Sequence, residues 1–123
     1  MSRFTELGVP ARLSEVLAAR GITEPTPIQA ATLPDSLAGC DVLGRGRTGS
    51  GKTYAFLLPL VARLSASRTR RQPGRPRALV LAPTRELANQ INRALQPLAS
   101  AVGLTSTTIF GGVNQRPQVN ALN

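Results

Sequence analysis

Residues 44–56 read GRGRTGSGKTYAF, and no other stretch of the chain restricts its fold as much. Gly44, Gly46, Gly49 and Gly51 crowd into one short loop. Before it stands a short apolar run, DVLG at 41–44; after it comes KTYAFLLPLVARLS, apolar almost all round. That order predicts a strand, a glycine-rich turn and a buried helix bent near Pro59. Gly46, Gly51, Lys52 and Thr53 also fill the spacing G-x-x-x-x-G-K-[ST]. Lys52 is the only lysine, every other positive charge being arginine. A compact ammonium is thus kept at the one place where the wide guanidinium fork fits less well. A flexible connector accounts for none of this, whereas a cradle for phosphate accounts for all of it.

Each position then has a physical task. Gly46, Gly49 and Gly51 let the backbone wrap phosphate oxygens with no Cβ in the way. Within the stretch Gly46, Arg47, Thr48, Gly49, Ser50, Gly51, Lys52 and Thr53, the amides from Thr48 onward converge on an anion at a helix N-terminus. Lys52 reaches the β- and γ-phosphates, and the Thr53 hydroxyl is a ligand for Mg²⁺. The expected ligand is a nucleotide such as ATP, with Lys52 and Thr53 the residues closest to its chemistry.

The remaining chain supplies a matching frame. PARLSEVLAARG opens with a helix-compatible proline and closes at Gly21, with Leu13, Val16 and Leu17 on one face. Thr26 caps a helix beginning at Pro27, which Pro34 should end or kink, leaving a short turn to Ala38. RALVLAP, 77–83, is a continuous apolar run suited to a strand buried on both faces. TRELANQINRALQPLASAVG returns to helical period, with Leu87, Ile91, Ala94 and Leu98 in a stripe, and the β-branched LTSTTIF, 104–110, reads as a third strand. Strand, loop, helix, strand, helix, strand is the order of a doubly wound α/β fold.

Composition narrows the setting. At 123 residues and 41% apolar, the chain is one modest globular domain. No apolar run approaches a membrane span, and no signal peptide is legible. One cysteine, Cys40, and no histidine exclude an internal disulfide and a His/Cys zinc site, and point to a cytoplasmic setting. A net charge of +9 favours a polyanionic partner. Much of the excess lies in SRTRRQPGRPR, 67–77, whose proline, glycine and serine make it a solvated connector.

Three further stretches resemble one family. FTELGVPARLSEVLAARGITEPTPIQ is similar to the Q motif of the DEAD-box RNA helicases, with Phe4 as its isolated upstream aromatic. APTRELANQ, 82–90, resembles the family's motif Ia, and Gly111 with Gly112 resembles its double glycine. They stand in the family's order around the phosphate loop and span nearly the whole chain. The resemblance implies a P-loop NTPase domain of RecA-like type, a parallel sheet flanked by helices. It divides the chain into a helical Q-motif region, 1–40, and a partial ATP-binding domain, 41–123. Gln29 then pairs with adenine, which suits an amide's adjacent donor and acceptor. Phe4 packs on the adenine or staples the first helix; both roles suit its ring. Gly46 replaces a customary alanine. Pro83, Thr84, Arg85, Gly111 and Gly112 hold RNA by its sugar-phosphate backbone, without reading bases.

The family's DEAD and SAT sequences and its second RecA-like domain have no counterpart among these residues. The six carboxylates (Glu6, Glu15, Glu24, Asp35, Asp41, Glu86) are scattered. The resemblance therefore implies an N-terminal piece of an ATP-dependent RNA helicase that binds nucleotide without turnover when alone. Its incomplete sheet invites self-association. Another P-loop ATPase, or a nucleotide- and RNA-binding module without catalysis, are the competing readings.

Overall fold

The computed structural model describes residues 3–47, 51–67, 72–111 and 115–123. Its regular structure consists of α1 (Arg3–Glu6), α2 (Ala11–Ala19), α3 (Pro27–Leu37), α4 (Lys52–Ala66), α5 (Arg85–Ala101) and α6 (Gln115–Leu122).

A single core joins the two ends of the sequence. Phe4 of α1, Leu13 and Leu17 of α2, Leu33 of α3, Leu57, Leu58 and Val61 of α4, and Ile91 and Leu98 of α5 form one buried cluster. The helical stripes read from the sequence are its walls: Leu13 and Leu17 are fully buried, with Val16 packed beside them. Leu87 and Ala94 flank Ile91 and Leu98 on α5 in the same way. The Q-motif region and the residues from 41 onward thus bury their apolar faces against each other.

Helix ends follow the residues at them. Gly21 (φ +79°) takes the left-handed conformation beyond α2, and Ile22 N closes onto Leu17 O at 2.9 Å. Thr26 precedes α3 in an extended conformation, with Pro27 in the first turn where its missing N–H costs nothing. Pro34 neither ends nor divides α3, which runs on to Leu37. Buried Leu33 on one side of the proline and core-packed Leu37 on the other anchor the helix, and tertiary packing outweighs the lost amide. Pro59 and Pro97 likewise lie inside α4 and α5. The sequence pattern did not anticipate α6, whose residues are none of them buried.

The parallel sheet expected from the sequence is not formed among the described residues. Residues 41–47, 78–82 and 104–110 carry no strand ladder, and the bridge between Gln72 and Arg75 is isolated and antiparallel. Yet the alternation of a strand persists. Val80 and Ala82 pack on the core while Leu79 and Leu81 are 79% and 84% exposed. Along 104–110 exposure alternates in the same way, with Ile109 on the outer side. Leu43 is 93% exposed. Segments 78–82 and 104–110 thus keep a less exposed face but form no ladder among the described residues, whereas 41–47 is exposed throughout; parallel sheets occur almost only with both faces covered.

Candidate nucleotide and RNA site

The glycine-rich loop meets α4 at Gly51, which takes φ +91° as the residue before the helix. That conformation favours glycine, and space demands it as well. A Cβ at Gly51 would lie 2.6 Å from both Gln29 Nε2 and Thr26 Oγ1. Gln29 fills this contact. Its Nε2 donates to Gly51 O at 3.0 Å, and its Oε1 accepts from Thr26 N at 2.9 Å. The side chain is 2% exposed. Thr26 and Gln29 are arranged as a capping box at the start of α3, of which the Gln29 half is a full hydrogen bond. Thr26 Oγ1 faces the place of the reciprocal bond and is buried with no hydrogen-bond partner. One amide therefore ties the start of α3 to the start of α4.

Lys52 and Thr53 are the first two residues of α4. Lys52 is exposed and Thr53 half-buried. The first turn of α4 contains no acidic residue, so a cation stands at the positive end of a helix dipole. Such an arrangement is unfavourable by itself and is relieved by a bound anion. Gly46 and Arg47 are exposed on the approach to the loop, whereas Thr48, Gly49 and Ser50 lie outside the described residues. The chain runs beside α3 at Gly44, where an added Cβ would make ordinary contacts with Ile28 Cδ1 at 3.4 Å and Thr32 Cγ2 at 3.5 Å.

Phe4 is fully buried and belongs to the core cluster.

The second candidate cluster gathers at the start of α5. Thr84 caps the helix, its Oγ1 accepting from Leu87 N at 3.1 Å. Arg85 Nη2 donates to Gly111 O at 2.5 Å, and its guanidinium stands 5.7 Å from the centroid of the Phe110 ring. A residue of the motif Ia stretch and the double-glycine stretch are thus brought together across 26 positions of sequence. Pro83 and Gly111 are exposed beside them, and a Cβ on Gly111 would meet nothing within 4 Å. Gly112 lies outside the described residues. Phe110 and Gln118 escaped the sequence reading. Phe110 N donates to Gln118 Oε1 at 2.5 Å, which ties α6 to this corner. The aromatic immediately before the double glycine was the signal available for Phe110.

A glycine-rich turn is thus joined by a buried amide to the preceding helix, and an arginine at a second helix start is bonded to the segment at Gly111. Comparison with known proteins gives the chain a family. Residues 26–123 match the family model described as DEAD/DEAH box helicase. The chain is 43% identical to DEAD-box ATP-dependent RNA helicase 30 of Arabidopsis thaliana, covering 99% of this chain and 21% of that protein. It is 43% identical to ATP-dependent RNA helicase RhlB of Sodalis glossinidius, over 98% of this chain and 29% of that one. Its backbone matches the crystal structure of the RNA-helicase Prp28 from Chaetomium thermophilum bound to ADP. That match has a TM-score of 0.84 and 44% identity over 95% of this chain and 28% of the other. The chain belongs to the DEAD/DEAH box helicase family. It spans between a fifth and three tenths of these relatives' length.

Proposed function

We propose that these residues are the ATP-binding N-terminal part of a DEAD-box RNA helicase whose longer chain remodels RNA duplexes at the expense of ATP. The observation that carries this reading is the Gln29 amide bonded to the carbonyl of Gly51, because it couples the Q-motif helix to the phosphate loop. After its two bonds, Gln29 retains one N–H and one oxygen lone pair, the complement of an adenine edge. Lys52 neutralises phosphate charge at the helix start, and the first amides of α4, which have no intrahelical acceptor, can donate to its oxygens. Thr53 supplies one hydroxyl to Mg²⁺, an ion held by few protein oxygens together with nucleotide phosphates. An ion held there would offset the negative charge of the phosphates.

Thr84, Arg85, Gly111 and, by their resemblance, Pro83 and Gly112 hold the sugar-phosphate backbone of RNA. Contacts of that kind fix position without reading sequence. Bare Leu43, Leu79, Leu81 and Ile109 support self-association of the 123-residue chain through its unpaired segments. Calorimetric titration with ADP, GDP and pyrophosphate tests the reading. ADP binding more tightly than GDP, with the preference reduced in Gln29→Ala, is the expected result; equal affinities in the wild type would refute an adenine site.

A further inference from the structure

A cleft of about 960 Å³ lies between α2, α5 and the segment 104–106. None of its lining residues belongs to the nucleotide or RNA sites described above. Its apolar lining includes Val16 and Ala19 of α2, Pro97 of α5 and Leu104. Arg20, where α2 ends, and Arg93, on α5, add two guanidinium groups. Both are exposed, and neither has a hydrogen-bond or ion-pair partner among the described residues. No carboxylate lines the cleft.

We propose that this cleft docks a short acidic peptide segment of a protein partner, with an apolar side chain seated between the two helices and carboxylates paired to Arg20 and Arg93. The volume is at the upper end for a ligand cleft and has room for a short peptide segment, not only one side chain. Planar guanidinium groups suit bidentate carboxylates. The lining favours a peptide over single-stranded RNA, because RNA of that kind is gripped by aromatic rings on which bases stack, and the cleft has none. Its apolar lining would also be wasted on a phosphate backbone. The proposal stands apart from the nucleotide reading and survives if that reading fails.

The test uses the 123-residue chain and a fluorescein-labelled peptide, acetyl-DELEELD-amide, in an anisotropy titration. The wild type should bind it, and Arg20→Glu/Arg93→Glu should weaken binding at least about tenfold, two charge-assisted contacts being lost. A peptide with both leucines replaced by serine should bind more weakly, and one with lysine in place of every acid should not bind. ADP affinity and melting temperature of the double variant serve as the folding control. Amide shift mapping on the wild type needs no variant: peptide-induced shifts confined to α2, α5 and 104–106 support the site. Shifts centred elsewhere, equal binding by a folded double variant, absence of binding, or displacement of the peptide by oligouridine from these same residues would overturn it.

Discussion

Gln29 and Gly51 are joined across 22 positions by a hydrogen bond from the glutamine amide to the glycine carbonyl, 3.0 Å long. The same amide accepts from Thr26 N at 2.9 Å. It holds the last residue of the phosphate loop against the first turn of the preceding helix, so any ligand gripped by the loop is felt at α3.

Gln29→Ala should therefore act on two observables. It leaves Thr26 N without its partner while Gly51 O keeps Ala55 N at 3.2 Å, and a buried polar group so orphaned costs about 1–3 kcal/mol. Denaturant melts should show a loss in that range. Pyrophosphate, which has no base, separates the effects. A fall in pyrophosphate affinity reports the loosened loop, whereas a fall confined to ADP reports the lost base contact. Unchanged stability would mean that the bridge is not formed in solution.

Replacing Gly51 by alanine should be worse than replacing Gly21. Both glycines have positive φ, +91° and +79°, so each substitution incurs the left-handed penalty of about 1–2 kcal/mol. Only Gly51 also has atoms at 2.6 Å from the new Cβ, while at Gly21 nothing lies within 4 Å. Melting curves of the two variants should differ by the steric part, and only Gly51→Ala should weaken ADP. Equal melting temperatures would show that the loop is free to move off Gln29.

How much of this was legible beforehand depends on how far apart the cooperating residues are. The stripes of α2 and α5 are carried by single segments, so Leu13, Leu17, Ile91 and Leu98 could be placed in the core from spacing alone. The start of α4 at Lys52 could be placed for the same reason, its stretch being contiguous. The reach of Gln29 to Gly51, and of Arg85 to Gly111, depends on how helices meet, which no local pattern encodes. Pro34 misled because its local cost was weighed without the packing of Leu33 and Leu37. The strands at 78–82 and 104–110 kept their alternation but not their ladder, since pairing needs a neighbour as well as a sequence.

Lys52→Ala should weaken ADP and leave the fold as stable or slightly more so. Losing a charge-assisted contact to phosphate costs about 1.5–3 kcal/mol of binding. Removing a cation from the first turn of α4 relieves an unfavourable dipole contact of about 0.3–1 kcal/mol. Calorimetry and a thermal melt on the same sample read the opposite signs. Wild-type ADP affinity in the variant would remove Lys52 from the site.

On the RNA side, Arg85 is the residue to change. In the chain alone its guanidinium is held by Gly111 O and the Phe110 ring. Arg85→Ala should lower affinity for single-stranded RNA of any sequence alike and reduce the salt slope of log K by about one. Affinity that falls for one sequence and not another would mean base reading, which this corner is not proposed to perform.

Self-association is expected to follow the bare side of the unpaired segments. Leu79 and Leu81 are 79% and 84% exposed, so Leu79→Lys/Leu81→Lys should change stability by no more than about 0.5 kcal/mol per site. The same pair should abolish any concentration-dependent growth in sedimentation velocity, because two charges on each strand edge oppose edge-to-edge pairing. If the wild type also sediments as a monomer at high concentration, self-association is excluded. If it associates and the double variant associates equally, the contact lies elsewhere. Turnover by the same preparations should stay near background in either state. The six carboxylates are dispersed in the sequence, and no group of three or more metal-ligating side chains gathers among the described residues. An arginine finger alone is worth roughly 10³–10⁵ in rate. RNA-stimulated phosphate release that Lys52→Ala abolishes would show that this stretch, or its assembly, carries a catalytic centre of its own.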